Sequence, residues 1–298
     1  MNTLRAWLAD NQEERRVLDL GCGGGSFDYG LYGCSGVIGV DAIATNLKSN
    51  DLILPLCADA ASLPFPPRSF DLVICHHNLE HCRDARKVVR EIHRVLKPAG
   101  RLFVSVPEAA SPSDRLYRLM LAGGGHYQRF TFGGVIDMIE SETSLHLVSW
   151  QTLYTSFSYI DRMNFVPSPK GRLPGPLPRR MRWIGGLPSP AFYVSRFLLN
   201  VLARFADRWF SLGLARGGWA MAFDASSQEA VEEEGLSNVC MSCGCGFHVE
   251  ELLRALWFFY RCPRCRTLNP LFTKPIRAGR SSGCQGRLKI PHPSSGGG

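Results

Sequence analysis

A short apolar run, Val17-Leu18-Asp19-Leu20, passes directly into Gly21-Cys22-Gly23-Gly24-Gly25. Apolar residues on both faces suit a strand buried inside a parallel sheet, and the glycines that follow permit a tight turn. Without β-carbons, that turn also lets a ligand approach the backbone. Three more runs of the same type follow: Val37-Ile38-Gly39-Val40, Phe70-Asp71-Leu72-Val73-Ile74 and Leu102-Phe103-Val104-Ser105-Val106. Between the last two, Val88, Val89, Ile92, Val95 and Leu96 recur at helical spacing, and Lys97-Pro98-Ala99-Gly100 closes that helix. Strand, helix and strand in this order imply an α/β fold with a doubly wound, mostly parallel sheet.

The same style continues through residues 111–160, with a helix near Gly134 to Glu140 and a strand near Leu145 to Leu153. The pattern then breaks. Pro167 to Pro190, rich in proline, glycine and arginine, reads as irregular, Ala191 to Ala215 as a long helix, and Trp219-Ala220-Met221-Ala222-Phe223 as a last strand. The division expected is a main domain over 1–225 with an insertion at 160–218, an acidic linker at 226–235, a cysteine module at 236–273 and a disordered basic tail at 274–298.

Apolar residues make up 45% of the 298, enough for a core, and no run of apolar residues is long enough to span a membrane. The first residues lack the apolar stretch of a secretory signal, so the eleven cysteines fit free or metal-bound thiols in a reducing cytoplasm better than a disulfide scaffold. The net charge of +8 is uneven: every charged residue from Arg162 to Arg204 is basic, and no acid follows Glu251. That asymmetry suits a polyanionic partner, a nucleic acid or an anionic membrane, as well as a merely basic surface.

Two carboxylates extend the glycine-rich loop into a candidate nucleoside site. Asp41 ends the second strand, where it can accept hydrogen bonds from both ribose hydroxyls, and Asp59, in Cys57-Ala58-Asp59-Ala60, can receive an adenine amino group. Taken in order, Val17 to Gly25, Gly39-Val40-Asp41, Leu63-Pro64-Phe65, Phe70 to His81 and Glu91 to Val106 resemble the successive motifs of class I methyltransferases, in the small-molecule branch that includes quinone-biosynthesis enzymes. The resemblance covers about the first half of the chain. It implies a seven-stranded sheet with S-adenosylmethionine at the carboxyl ends of its strands, Gly21, Gly23 and Gly25 beside the methionine portion, Asp41 on the ribose, and Asp59 with Ala60 near the adenine. Asp19 organises the loop or meets the amino group, and His76 lines the cofactor.

Methyl transfer is a direct displacement in which positioning matters most, and a base is needed only for a protonated acceptor. His76-His77-Asn78-Leu79-Glu80-His81 follows the fourth strand and faces the expected crevice. Some quinone O-methyltransferases carry Glu-x-x-Glu-His here and hold a divalent metal; His77 replaces the first glutamate in this chain, which puts that metal in doubt. His77 and His126, the latter in Gly123-Gly124-Gly125-His126-Tyr127, are the candidate catalytic residues, weighed against a structural histidine and a surface-loop histidine.

Cys240-Met241-Ser242-Cys243 and Cys262-Pro263-Arg264-Cys265 form two Cys-x-x-Cys pairs 18 residues apart. Two such pairs complete a zinc tetrahedron, and four protein ligands leave no open position, so the expected site is structural, in a zinc ribbon. Cys245 is a spare. Trp257-Phe258-Phe259-Tyr260 with Arg261, Arg264 and Arg266 can stack on and neutralise a nucleic acid, or build the module's own core.

Three functions compete: methyl transfer to a small-molecule or lipid-linked acceptor, methylation of a nucleic acid or protein recruited by the ribbon, and non-catalytic binding on the same fold. Asn-Pro-Pro-Tyr is absent after the fourth strand, which favours the first. In the insertion, Arg196, Asn200, Arg204, Asp207 and Arg208 form a polar stripe on a helix otherwise apolar. The apolar face is expected either to pack on the core as a lid, or to meet an anionic membrane peripherally with Lys170, Arg172, Arg179, Arg180 and Arg182.

Overall fold

The computed structural model describes residues 2–9, 15–27, 29–32, 34, 36–48, 51–120, 125–155, 157, 159–160, 188–210, 213–226, 231–240, 246–247, 252 and 259–270. After a first helix, α1 (Asn2–Ala9), strands β1 (Val17–Leu20), β2 (Val37–Asp41), β3 (Ile53–Cys57) and β4 (Phe70–His76) lead to α2 (Ala85–Val95) and β5 (Leu96–Pro107). Then come α3 (Pro112–Met120), α4 (Phe132–Glu142), β6 (His146–Tyr154), α5 (Ser189–Phe210) and β7 (Arg216–Asp224), followed by β8 (Glu232–Val239), β9 (Gly246–Phe247), β10 (Phe259–Arg261) and β11 (Leu268–Pro270).

The main sheet runs β3-β2-β1-β4-β5-β7-β6-β8-β9. Strands β1 to β5 are parallel, β7 is antiparallel to both of its neighbours, and β8 runs parallel to β6. The strand order reverses at β1 and β4, which lie side by side while the chain runs outward from them in opposite directions, and this opens a crevice at their carboxyl ends.

Each face of the sheet carries its own core. Val88, Val89, Ile92 and Val95 of α2, and Val135, Met138 and Ile139 of α4, cover one side against Leu18, Leu20, Val73 and Val104. Leu4, Trp7 and Leu8 of α1 cover the other against Val17, Leu72, Ile74 and Phe103. Burying one such side chain contributes roughly 1.5–3 kcal/mol, so the apolar runs read as strands and helices also stabilise the fold. Local capping fixes the helix starts. The Asp84 side chain accepts from Lys87 N at 2.9 Å ahead of α2, and Thr131 Oγ1 accepts from Gly134 N at 3.2 Å ahead of α4.

Two expectations are corrected. The sheet has nine strands among the described residues rather than seven, because the stretch read as an acidic linker continues as β8 and pairs with the outer edge of β6. Its Glu234 Oε1 accepts from Thr3 N at 3.0 Å and Ser149 Oγ at 2.7 Å, so that acid is a strand anchor. The second correction concerns α5. Its polar stripe points inward, with Arg196, Asn200, Arg204 and Asp207 all buried beside Phe192 and Ala203, while Val194, Leu198, Leu202, Phe205 and Trp209 stay exposed. The side chain of Arg208 lies outside the described residues, as do residues 161–187, which include Lys170, Arg172, Arg179, Arg180 and Arg182. Arg204 Nη1 donates to Pro270 O at 2.9 Å while its guanidinium sits 4.8 Å from the centre of the Tyr154 ring. Asp207 takes the backbone N–H groups of Leu214 and Ala215, and Tyr193 Oη donates to Leu268 O at 3.0 Å. The helix therefore joins the β6–β7 corner to the cysteine module through polar contacts.

Candidate active site

The loop after β1 is shaped by its glycines and by one buried acid. Gly21, Gly23 and Gly25 have φ of 69°, 51° and 107°, all in the left-handed region that favours glycine. A β-carbon on Gly21 would lie 2.4 Å from the Asn78 side chain, whereas at Gly23 nothing stands within 4 Å, so that turn faces open space. Gly21 N and Cys22 N both donate to Val40 O, which ties the loop to the end of β2. Asp19 is completely buried and accepts from Ser26 N at 2.9 Å, Ser26 Oγ at 2.6 Å and Tyr29 Oη at 2.8 Å. Burial raises its carboxyl to about 6 despite those three donors. All three bonds tie Asp19 to the loop and to Tyr29 just beyond it.

Asp41 stands at the rim of this cradle. Its Oδ2 accepts from Gly23 N at 3.1 Å, and its Oδ1 accepts from Ile43 N at 2.8 Å and Asn46 Nδ2 at 3.2 Å. Asp59 holds its own turn, accepting from Ala61 N at 2.9 Å, with Ala60 beside it. An open glycine cradle flanked by two partly exposed carboxylates on successive strand ends fits a nucleoside carrying an amino-acid-like tail.

Opposite the cradle, the end of β4 carries a cluster of histidines. His76 Nδ1 shares a 2.6 Å hydrogen bond with Ser105 Oγ, and its ring packs on Phe27 and His77 with centroids 4.9 and 4.7 Å away. Burial, with His77 adding to it, pushes His76 well below the usual histidine range, so it stays neutral. His77 has φ of 48°, an uncommon conformation for a residue with a β-carbon, and its Nδ1 lies 3.3 Å from Oε1 of the buried Glu80. Burial pushes Glu80 up, but His77 and His81 outweigh it and hold the carboxyl below its ordinary value.

His126 reaches the same cluster from the loop after α3. Its Nδ1 is 3.0 Å from Asp114 Oδ1, both side chains are buried, and Arg118 Nε donates to Asp114 Oδ2 at 2.6 Å. Burial raises Asp114, yet the bonds from His126 and Arg118 prevail and keep it ionised. Tyr117 and His81 flank the imidazole with ring centroids 4.4 and 4.7 Å away. Ligand atoms of Glu80, His81 and His126 lie within 4.8 Å of one another.

The methyltransferase domain family matches residues 18–104, spanning the cradle, the crevice and the histidine cluster after β4. Residues 18–104 are thus similar to a methyltransferase domain. The uncharacterized methyltransferase YcgJ of Bacillus subtilis is 38% identical over 109 residues, which cover 32% of this chain and 42% of YcgJ. The ubiquinone biosynthesis O-methyltransferase of Pseudomonas syringae is 36% identical over 119 residues, covering 35% of this chain and 51% of that enzyme. The crystal structure of YcgJ superposes with a TM-score of 0.45 at 22% identity, covering 74% of this chain and 95% of that one. The chain spans about half or less of the length of these curated relatives.

Of the residues read from sequence as cofactor-binding, Gly21, Gly23, Gly25, Asp41 and His76 lie at the ends of β1, β2 and β4, Asp19 is buried beneath the glycine loop, and Asp59 and Ala60 stand in the loop after β3. Both histidines proposed as catalytic lie in one cluster, and His126 is a buried partner of Asp114 rather than a surface-loop residue. Sequence reasoning missed Asp114 and Arg118. Asp114 and His126 stand 12 residues apart across an intervening loop, a spacing without a local signature.

Beyond the methyltransferase domain, the thiols of Cys240, Cys262 and Cys265 gather within 4.8 Å of one another. The Cys240 and Cys265 sulfurs are 3.5 Å apart, Asn269 Nδ2 donates to Cys240 Sγ at 3.4 Å, and Cys265 N points at Cys262 Sγ at 3.5 Å. Cys243 and Cys245 lie outside the described residues, as do Trp257 and Phe258. Phe259 stacks on Phe197 of α5 and Tyr260 is buried, so both aromatics take part in packing.

Proposed function

We propose that this chain transfers a methyl group from S-adenosylmethionine to a hydroxyl-bearing small-molecule or lipid-linked acceptor, with His126 as general base. The Asp114–His126 pair carries the reading, because it joins a buried, ionised carboxylate to an imidazole at the crevice of the methyltransferase domain. The Gly21–Gly25 cradle, Asp41, Asp59 and Ala60 would hold the cofactor, which supplies an electrophilic methyl on a sulfonium. Asp114 accepts from Nδ1 of His126 and thereby fixes the tautomer, which leaves Nε2 as the atom able to take a proton from an attacking hydroxyl. Arg118 holds Asp114 charged and in place. His76, kept neutral, lines the crevice without adding positive charge beside a cationic methyl donor. His77 and Glu80 position the turn after β4. A panel of hydroxylated acceptors incubated with labelled cofactor tests this. Label in solvent-extractable products, lost in His126→Gln, supports it, and label confined to protein or nucleic acid contradicts it.

The cysteine module is proposed to hold one structural zinc through Cys240, Cys243, Cys262 and Cys265. The three described thiols fit, being close together and served by N–H donors that favour thiolates.

A further inference from the structure

Helix α5 leaves one apolar stripe uncovered. Residues Val194, Leu198, Leu202, Phe205 and Trp209 recur every three or four positions along one stripe, and each is at least half exposed, Leu202 at 62% and Trp209 at 67%. The opposite stripe, Arg196, Asn200, Arg204 and Asp207, is sealed against the β6–β7 corner and the cysteine module. Those inward contacts fix the helix about its axis, so it cannot roll its apolar side under cover. From Val194 to Trp209 the stripe runs about 22 Å at 1.5 Å per residue, and an exposed apolar surface of that extent marks an interaction site.

We propose that this face docks α5 in the plane of an anionic lipid bilayer. Charge and composition select that occupant. Every charged residue from Arg162 to Arg204 is basic, and six of those eight, Arg162, Lys170, Arg172, Arg179, Arg180 and Arg182, precede the helix. A basic tract leading into an amphipathic helix suits anionic headgroups together with their acyl boundary. The exposed end of α5 carries Phe205, Trp209 and Phe210, aromatic side chains that favour the membrane interface. No helix among the described residues is long and apolar enough to cross a membrane, so the contact is peripheral. The inner side of α5 shares a core with Tyr154, Phe157 and Leu116, the last on the helix that carries Asp114, and docking would set the crevice beside the bilayer. The docking does not depend on which acceptor is methylated.

The test is co-sedimentation of the full chain with vesicles of phosphatidylcholine alone or of phosphatidylcholine with phosphatidylglycerol. Binding is expected only to the anionic vesicles and is expected to fall as salt is raised. The double variant Leu202→Glu with Phe205→Glu should lose on the order of tenfold or more in partitioning. Its thermal transition and S-adenosylmethionine affinity should stay unchanged, because both positions face outward. Replacing Lys170, Arg172, Arg179, Arg180 and Arg182 with Gln should weaken anionic binding as well. Equal binding to neutral and anionic vesicles, or unaltered binding by the double variant, overturns the proposal. A vesicle-free dimer dispersed by the same two substitutions would assign the face to a second copy and overturn it too.

Discussion

His126 Nδ1 rests 3.0 Å from the buried Asp114 carboxylate, although the two residues arrive from the start of a helix and from the loop beyond its end. Arg118, one turn after Asp114, closes the arrangement by also donating to the carbonyls of His126 and Gln128 at 3.1 and 2.9 Å. The imidazole is thereby held at its Nδ1, at its backbone and by the neighbouring rings of Tyr117 and His81, so its orientation is fixed.

If that orientation matters for proton removal, His126→Gln should lower kcat by roughly 10²–10⁴-fold, the ordinary contribution of a general base. Asp114→Asn should lower it less and leave S-adenosylmethionine affinity within about twofold, because neither side chain belongs to the cradle. Single-turnover kinetics with calorimetric titration of the cofactor separates the two effects. An unchanged kcat in His126→Gln would remove the base assignment.

Asp41→Ala should weaken cofactor binding by about 1–3 kcal/mol through loss of charged hydrogen bonds at the end of β2. Isothermal titration measures it directly, and a folded variant with wild-type affinity would place the ribose elsewhere.

Asp19 makes stability depend on pH. Its folded value, about 6, lies above the 3.8 expected for an unfolded aspartate. A raised folded value means that its contribution is complete below pH 3.8 and is lost as the pH climbs through 6. Relative to Asp19→Asn, the wild-type protein should therefore lose ground between those limits, by up to about 3 kcal/mol at 1.36 kcal/mol per unit. Urea denaturation of both proteins across that window would show it. A constant difference would mean that the three donors compensate the buried charge fully.

For the cysteine module, elemental analysis of protein purified without chelator should find one zinc per chain. Cys262→Ser should abolish it while sparing cofactor binding, and Asn269→Ala should reduce zinc affinity by roughly 10–100-fold through loss of its N–H···S bond. Chain without zinc but with a stable module would contradict the metal assignment.

The parallel strands and the cradle were legible because their signals are local: apolar runs ending in glycine, and acids at strand ends. The Asp114–His126 contact was not, since it depends on how a loop folds back. For α5 the polar stripe was legible and its burial was not, and only part of the apolar surface, Phe192, Leu199 and Ala203, packs on the core as expected. Hydrophobicity alone puts the apolar side inward, whereas Asp207 caps the backbone of Leu214 and Ala215 and Arg204 serves a carbonyl in the module. Strand β8 was missed because Glu232-Glu233-Glu234 looks like a solvated tract, yet that end of β8 pairs on the β6 side while β9 meets only Asn238 and Val239, and such an outer stretch accepts charge readily.

That last strand bears on how the protein fails. In covering β6, β8 occupies a row of backbone N–H and C=O groups that would otherwise form an open template for another chain. The chain leads from β8 straight into the cysteine module, with Val239 beside Cys240. Damage to the thiols, by oxidation or alkylation, would loosen the module's grip on β8 and bare that template. The expected signature of such damage is self-association through the sheet edge, growing with protein concentration, while the cradle and crevice at the far side of the sheet remain folded.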